Sequence, residues 1–163
     1  MIAFDPAQLE ADLRRDEGVR AKAYYDTATP PRLTVGVGRN LTDKPLSAAW
    51  LRRLHIEKQT DLLRIPLSDD AIRDLLREDI ASTVADMDQL LGSWWRALSE
   101  ARQRGLINMA FNMGAPTLAT FHTTLGHLQA GRFEQAAAAA LASKWASQVG
   151  ARAQRIAALF RQG

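Results

Sequence analysis

Apolar residues recur three and four positions apart over most of the chain, which is the spacing of one face of an α-helix. The longest such segment follows Ser68, a suitable N-cap, and extends to Leu91. Its apolar positions are Ile72, Leu75, Leu76, Ile80, Val84, Met87 and Leu91. At about 1.5 Å per residue this helix spans about 35 Å. A helix of that length can join two lobes of one domain.

A first helix is predicted to begin near Pro6, because Asp5 is a suitable N-cap and proline is favoured at the first helical position. Phe4 is spaced to form a hydrophobic staple with this helix. Gly18 suits the left-handed residue that ends a helix, which puts Glu17 in the last turn. Further helices are predicted at 47–60, 98–113, 121–130, 133–142, 143–148 and 151–160.

Two short segments have the composition of β-strands. Residues 21–25 and 33–38 are separated by a stretch that contains Pro30 and Pro31, so we expect a β-hairpin. On one face of the second strand Thr34 alone carries a polar side chain, since its neighbours on that face are glycines. A strand face this bare lets a sugar approach the backbone closely.

These elements predict a mainly helical α+β fold. We expect a single domain, 1–163, with a small β-containing lobe at about 15–67 and a helical lobe at 92–163. The helix at 68–91 would join the lobes, and the helix at 5–17 is a candidate to pack on the second one.

Composition narrows the class of protein. The chain of 163 residues has no cysteine, which excludes disulfides and thiolate catalysis, and its three histidines are scattered, so we expect no metal and no cofactor. A sequence pI near 9.7 favours an anionic polymer as partner. The basic residues alternate with acidic ones and form no run with aromatic residues, so nucleic-acid binding is not expected.

No apolar stretch reaches the roughly 20 residues that span a bilayer and no leader is visible, so we expect cytoplasmic synthesis without stable membrane association.

Three polar residues form a candidate catalytic set. Glu17 leaves the first helix, Asp26 follows the first strand, and Thr34 lies in the second. Cleavage of a glycosidic bond needs one carboxyl group to protonate the leaving oxygen and another to direct water at the anomeric carbon. The partial negative charge at a helix C-terminus favours the protonated form that an acid catalyst needs. The alternative is that Glu17 is an ordinary solvated carboxylate at a helix end.

Four segments resemble the phage-type lysozymes, glycoside hydrolase family 24, in the same order along the chain. They are Arg14-Arg15-Asp16-Glu17-Gly18, Tyr24-Tyr25-Asp26-Thr27, Thr34-Val35-Gly36-Val37-Gly38, and the stretch from Leu106 to Gly114. The resemblance implies a two-lobed lysozyme fold with Glu17 as general acid. It also implies that Asp26 and Thr34 activate the water of an inverting hydrolysis, with Arg152 close to Glu17.

The resemblance further suggests four substrate-binding residues: Asn40, Phe111, Asn112 and Thr124. From the pattern alone, a core position is favoured for Phe111 and Met113, and Asn108 and Asn112 each require a hydrogen-bond partner because their helix is otherwise apolar. Trp94, Trp95 and Trp145 are expected in the core or at its rim. Ala139 stands where a well-known member has a sugar-contacting Asn, which removes one contact.

The chain departs from the family at a pair of residues that supports the site. The usual His after the Gly-x-Gly strand is Arg39 here, and its expected partner is Asp79. Since an arginine stays charged, only Asp79 would titrate. We expect pairing to lower the pKa of Asp79, so that the stability it contributes is lost as pH falls.

The resemblance implies an endolysin-type muramidase that cuts the β-1,4 bond between N-acetylmuramic acid and N-acetylglucosamine in peptidoglycan. It would act as a monomer that is made in the host cytoplasm and reaches the periplasmic cell wall with the help of a holin. Two alternatives remain. The first is a lytic transglycosylase, which needs one catalytic carboxylate only, so Asp26 and Thr34 argue against it. The second is an inactive wall-binding or engineered scaffold, which would not require the three candidate catalytic residues to be intact.

Overall fold

The structure, a computed structural model, describes residues 5–163, so Phe4 and its predicted staple lie outside the described residues. The helices are α1 (Pro6–Glu17), α2 (Ala48–Arg53), α3 (Asp69–Leu91), α4 (Glu100–Met113), α5 (Ala115–Ala119), α6 (His122–Gln129), α7 (Phe133–Leu141), α8 (Lys144–Val149) and α9 (Ala151–Gln162). The strands are β1 (Arg20–Tyr25), β2 (Leu33–Gly36) and β3 (Arg39–Asn40), and 3₁₀ helices lie at Gln59–Leu63 and Trp94–Ala97. The mainly helical α+β class is confirmed.

The described residues form two compact units. One is Glu10–Asp79, and the other is Ile80–Gly163 together with residues 5–9. The division therefore falls within α1 and within α3. The assignment of lobes at 15–67 and 92–163 joined by a helix stays a prediction.

The sheet of the first unit has three antiparallel strands in the order β1-β2-β3. Thr34, in the central strand, pairs with Tyr24 on one side and with Asn40 on the other. The predicted hairpin is present, but the second strand ends at Gly36 and not at residue 38. Gly36 and Gly38 have φ values of 66° and 70°, so the chain turns there into β3 and the long bare strand face is not formed.

The ends of α1 and the start of α3 follow the capping pattern of the sequence. Asp5 Oδ1 accepts hydrogen bonds from the backbone nitrogens of Ala7 at 2.8 Å and Gln8 at 3.3 Å. Gly18 has a φ of 75°, and α1 ends one residue before it, at Glu17. The hydroxyl of Ser68 accepts from Ala71 N at 3.2 Å. Both helices are confirmed with these caps.

The helix predicted at 47–60 is wrong beyond its first turns. Ser47 does cap α2, but the helix ends at Arg53, and His55 takes a φ of 53° that a helix cannot contain. A 3₁₀ helix at Gln59–Leu63 follows. Leu62, in this 3₁₀ helix, is buried.

The core of the second unit surrounds α4, which packs against α9. Residues 105–110 of α4 are all buried, as its apolar sequence predicted, whereas Phe111 and Met113 are half-buried. Leu98 lies outside this helix, and the short α5 that follows Gly114 was not predicted. Trp95 and Trp145 are buried, whereas Trp94 is half-buried, as expected.

Candidate active site

Glu17 is the last residue of α1, and its half-buried side chain reaches the turn between β2 and β3. The backbone of Gly38 lies against it, since a Cβ atom added at Gly38 would be 3.2 Å from Glu17 Oε2. A larger residue here would crowd the carboxyl group, which would have to move by a few tenths of an ångström. The sequence indicated a sparse strand face here but not this contact.

Asp26 follows β1 directly, and the loop before β2 fixes its carboxylate. Its Oδ1 accepts from Ala28 N at 3.0 Å and from Arg32 N at 2.8 Å, while its own backbone nitrogen donates to Arg32 O at 2.9 Å. Among residues 5–163, no hydrogen bond to Oδ2 is formed, which leaves that oxygen as an acceptor for another molecule. One oxygen is thus used to orient the other.

Thr34 is brought next to Asp26 by the same backbone segment. It is buried in β2, and its hydroxyl donates to Arg32 O at 3.4 Å, the oxygen that also accepts from Asp26 N. The structure therefore brings two of the three predicted catalytic residues together through the backbone nitrogen and oxygen of Arg32. Backbone bonding of this kind has no side-chain signature in the sequence.

Arg39 and Asp79 form the predicted ion pair, with Arg39 Nη1 3.1 Å from Asp79 Oδ1. Glu78 Oε2 lies 3.6 Å from the same Nη1, and Lys44 Nζ lies 3.7 Å from Asp79 Oδ1. The expected direction of the titration is wrong. Burial raises the pKa of Asp79, because the loss of solvent disfavours the carboxylate more than the two nearby cations stabilise it.

Asn40, predicted to bind substrate, uses its side-chain amide within the turn after β3. Its Nδ2 donates to Asp43 Oδ2 at 2.8 Å, and its Oδ1 accepts from Thr42 N at 2.8 Å. These bonds give Asn40 a structural role in the turn. A sugar contact at Asn40 stays a prediction.

In the second unit, Arg152 at the start of α9 is buried and bound to Asn108. Its Nε donates to Asn108 Oδ1 at 2.8 Å, and its Nη2 donates to the backbone oxygen of the same residue at 3.1 Å. Asn112 is exposed and accepts from Trp145 Nε1 at 2.9 Å. Both asparagines thus have the partners that the sequence required. Phe111 is half-buried, so the core position favoured for it is not what the structure has.

Thr124 is buried at a pocket of about 330 Å³ in the second unit. The other lining residues are Thr120, Phe121, His122, Thr123, Ala139 and Ser143. The ring of Phe121 meets that of Trp145 edge to face, with centroids 6.4 Å apart. This pocket presents hydroxyl groups beside an aromatic side chain. Phe121 and Ser143 were missed by the sequence analysis, because their spacing is that of ordinary helix positions.

Within residues 5–163, no cluster of three or more histidine, aspartate and glutamate side chains has the geometry to hold a metal ion. Across the same residues, no helix combines the length and apolar character of a membrane span.

Comparison with known proteins places this geometry in a family. The phage lysozyme family model matches residues 14–162. The pre-baseplate central spike protein Gp5 of Enterobacteria phage T4 is 32% identical over 157 residues, which cover 93% of this chain and 27% of the spike protein. Two proteins of Dictyostelium discoideum are similar over nearly their whole length. Probable T4-type lysozyme 2 is 24% identical, with 96% of this chain and 95% of that protein covered, and probable T4-type lysozyme 1 is 25% identical, with 93% and 92% covered.

The chain thus spans about a quarter of the phage spike protein and most of each amoeba protein. The family match covers nearly every residue, including the segments that carry Glu17, Asp26 and Thr34. The chain belongs to the phage lysozyme family and is a glycoside hydrolase of the lysozyme type.

Proposed function

We propose that this chain is a muramidase that hydrolyses the β-1,4 bond between N-acetylmuramic acid and N-acetylglucosamine with inversion at the anomeric carbon. The observation that carries the proposal is that the backbone of Arg32 binds both side chains: its nitrogen donates to Asp26 Oδ1, and its oxygen accepts from the Thr34 hydroxyl. Two oxygens held together in this way suit the binding of one water molecule. Glu17, on a different element, supplies the second carboxyl group.

In this mechanism Glu17 donates its proton to the glycosidic oxygen while the bond to the anomeric carbon breaks. Asp26 Oδ2 and the Thr34 hydroxyl orient a water molecule on the opposite face of the sugar. The water attacks the anomeric carbon as its proton passes to Asp26. The leaving sugar takes up the proton of Glu17, and the new hydroxyl has the α configuration.

We propose further roles on the basis of family membership. Arg152 helps set the environment of Glu17, and the Arg39–Asp79 pair supports the turn that contains Gly38. Sugar contacts come from Asn40, Phe111, Asn112 and Thr124. The hydroxyl-lined pocket at Thr124 supports its assignment, since hydroxyl and aromatic side chains are typical of carbohydrate sites. Trp145 orients the exposed amide of Asn112.

The biological role that fits a phage-type lysozyme is host-cell lysis. We propose that the protein is made in the cytoplasm, reaches the periplasmic wall through a holin, and acts on glycan strands as a monomer. Its family membership supports this role.

Clearing of a suspension of purified peptidoglycan tests the proposal. Glu17→Gln keeps the shape of the side chain but has no proton to donate, so we expect a loss of about 10²–10⁴-fold in rate. Asp26→Asn and Thr34→Ala should also lower the rate, with Asp26→Asn the more severe. Glu57→Gln, at an exposed carboxylate in the same unit, is the control and should clear walls like the wild type. A folded Glu17→Gln variant with the wild-type rate would contradict the acid assignment.

A further inference from the structure

Four side chains from three elements meet beside the sheet of the first unit. Arg39 comes from β3, Glu78 and Asp79 from α3, and Trp50 from α2. Glu78 holds two of the others: its Oε2 lies 3.6 Å from Arg39 Nη1, and its Oε1 accepts from Trp50 Nε1 at 2.7 Å. We name these four residues the Arg39 clamp. Neither Trp50 nor Glu78 belongs to the motifs that identified the active site.

Burial makes three of the four members of the Arg39 clamp rigid, whereas the fourth, Glu78, is half-exposed. The side chains of Arg39 and Asp79 are 10% and 8% exposed, and Trp50 is also buried. Moving one partner would leave a charge without compensation away from water, which is costly. Trp50 is itself held from the other side, because Arg53 stacks on its ring at 4.6 Å and pairs with Asp74 at 2.5 Å.

The Arg39 clamp acts on the residue next to it in the chain. Gly38 precedes Arg39, and its backbone is the surface against which the Glu17 carboxyl lies. Fixing the guanidinium of Arg39 therefore fixes the start of β3 and with it the position of Gly38. A small movement of this turn changes the space available to Glu17 Oε2, because the gap for a Cβ atom is 3.2 Å.

We propose that Trp50 and Glu78 are positioning residues for the catalytic acid, acting through Arg39 and the Gly38 backbone. The inference rests on the proposed function, in which Glu17 is that acid. Misplacement of a reacting group by about 1 Å costs about 10²-fold in rate. A shift of a fraction of that distance, caused by loss of one contact in the Arg39 clamp, should cost about tenfold.

Two conservative variants test the positioning role. Trp50→Phe removes the indole N–H but keeps an aromatic ring under Arg53. Glu78→Gln keeps an oxygen that can accept from Trp50 but removes the charge that faces Arg39. Each should lower kcat on soluble peptidoglycan fragments about tenfold and leave KM within about twofold. Because both act through Arg39, the double variant should lose little more than the worse single variant.

Asp86→Asn is the matched control, since it also neutralises an exposed carboxylate of α3 and lies outside the Arg39 clamp. Circular dichroism at the assay temperature gives the folded fraction of each variant, and kcat is calculated per folded molecule. Glu78→Gln alters a half-exposed side chain, so it keeps the test valid if Trp50→Phe unfolds. Wild-type kcat in folded Glu78→Gln, with or without a lower Tm, would refute the positioning role alone. A wild-type protein that does not cleave the fragments would refute the proposed function and the positioning role together.

Discussion

Gly38→Ala is the substitution that most directly tests the contact between the β2–β3 turn and the candidate acid. The new methyl carbon would lie 3.2 Å from Glu17 Oε2 and 3.5 Å from Glu17 Cβ. The 3.2 Å separation is tighter than ordinary van der Waals contact, so the carboxyl group must move by a few tenths of an ångström. Gly38 also has a φ of 70°, where a residue with a Cβ atom costs about 1–2 kcal/mol.

Gly131→Ala separates the backbone cost from the contact. Gly131 has nearly the same φ, 71°, but a Cβ atom there would meet nothing within 4 Å. We therefore expect both variants to lose about 1–2 kcal/mol in the free energy of unfolding. For a chain of this size each kcal/mol lowers Tm by about 2–4 °C. Only Gly38→Ala should also lower kcat, by about tenfold, because only it displaces the carboxyl group.

The assay combines urea denaturation with initial rates of wall clearing at a temperature where all three proteins are folded. The wild type and Gly131→Ala should have equal rates. If folded Gly38→Ala cleared walls as fast as Gly131→Ala, the Glu17 carboxyl would not depend on the space beside Gly38, and the reasoning would fail.

Two further predictions concern stability. The raised pKa of Asp79 means that stability from its protonated form is present below the unfolded value, about 3.9, and is lost as pH rises through the folded value. Urea titrations at several pH values measure the free energy of unfolding, which in the wild type should fall by at most about 1.4 kcal/mol per pH unit as pH rises through this range. Asp79→Asn should remove this fall. A wild-type free energy that rises with pH because of Asp79 would contradict the direction of the pKa shift. Gly105→Ala puts a Cβ atom 2.8 Å from the buried ring of Phe160 and should cost about 1–3 kcal/mol. Gly126→Ala places its Cβ atom in open space and should raise the free energy of unfolding by about 0.5–1 kcal/mol. Equal changes in Tm for Gly105→Ala and Gly126→Ala would refute the packing account.

Local signals in the sequence predicted the helices with clear caps. The Asp5 cap and Gly18 define α1, and Ser68 defines the start of α3, because these ends are set by hydrogen bonds within a few residues. The end of α2 could not be predicted. His55 adopts a positive φ without being glycine, and β3 has only two residues, which is too short for a periodic pattern.

For the candidate site too, the sequence predicted one part and not another. The residue types at Glu17, Asp26 and Thr34 pointed to glycoside hydrolysis, because the chemistry requires two carboxyl groups and a bound water. The contacts that hold these side chains in place could not be predicted. The Arg32 peptide acts through backbone atoms, and the bond between Trp50 and Glu78 joins residues that are 28 positions apart. The direction of the Asp79 pKa shift depends on burial, which only the tertiary structure gives.

The products left on the muramic acid test the central claim most directly. Peptidoglycan fragments are digested, and mass spectrometry together with NMR of the fresh product is recorded before mutarotation. A water held by Asp26 and Thr34 opposite Glu17 predicts a free reducing end, heavier than an anhydro sugar by one water, with the α anomer formed first. Predominant anhydro product would contradict hydrolysis and indicate a lytic transglycosylase, and an initial β anomer would contradict the direct attack of water proposed here.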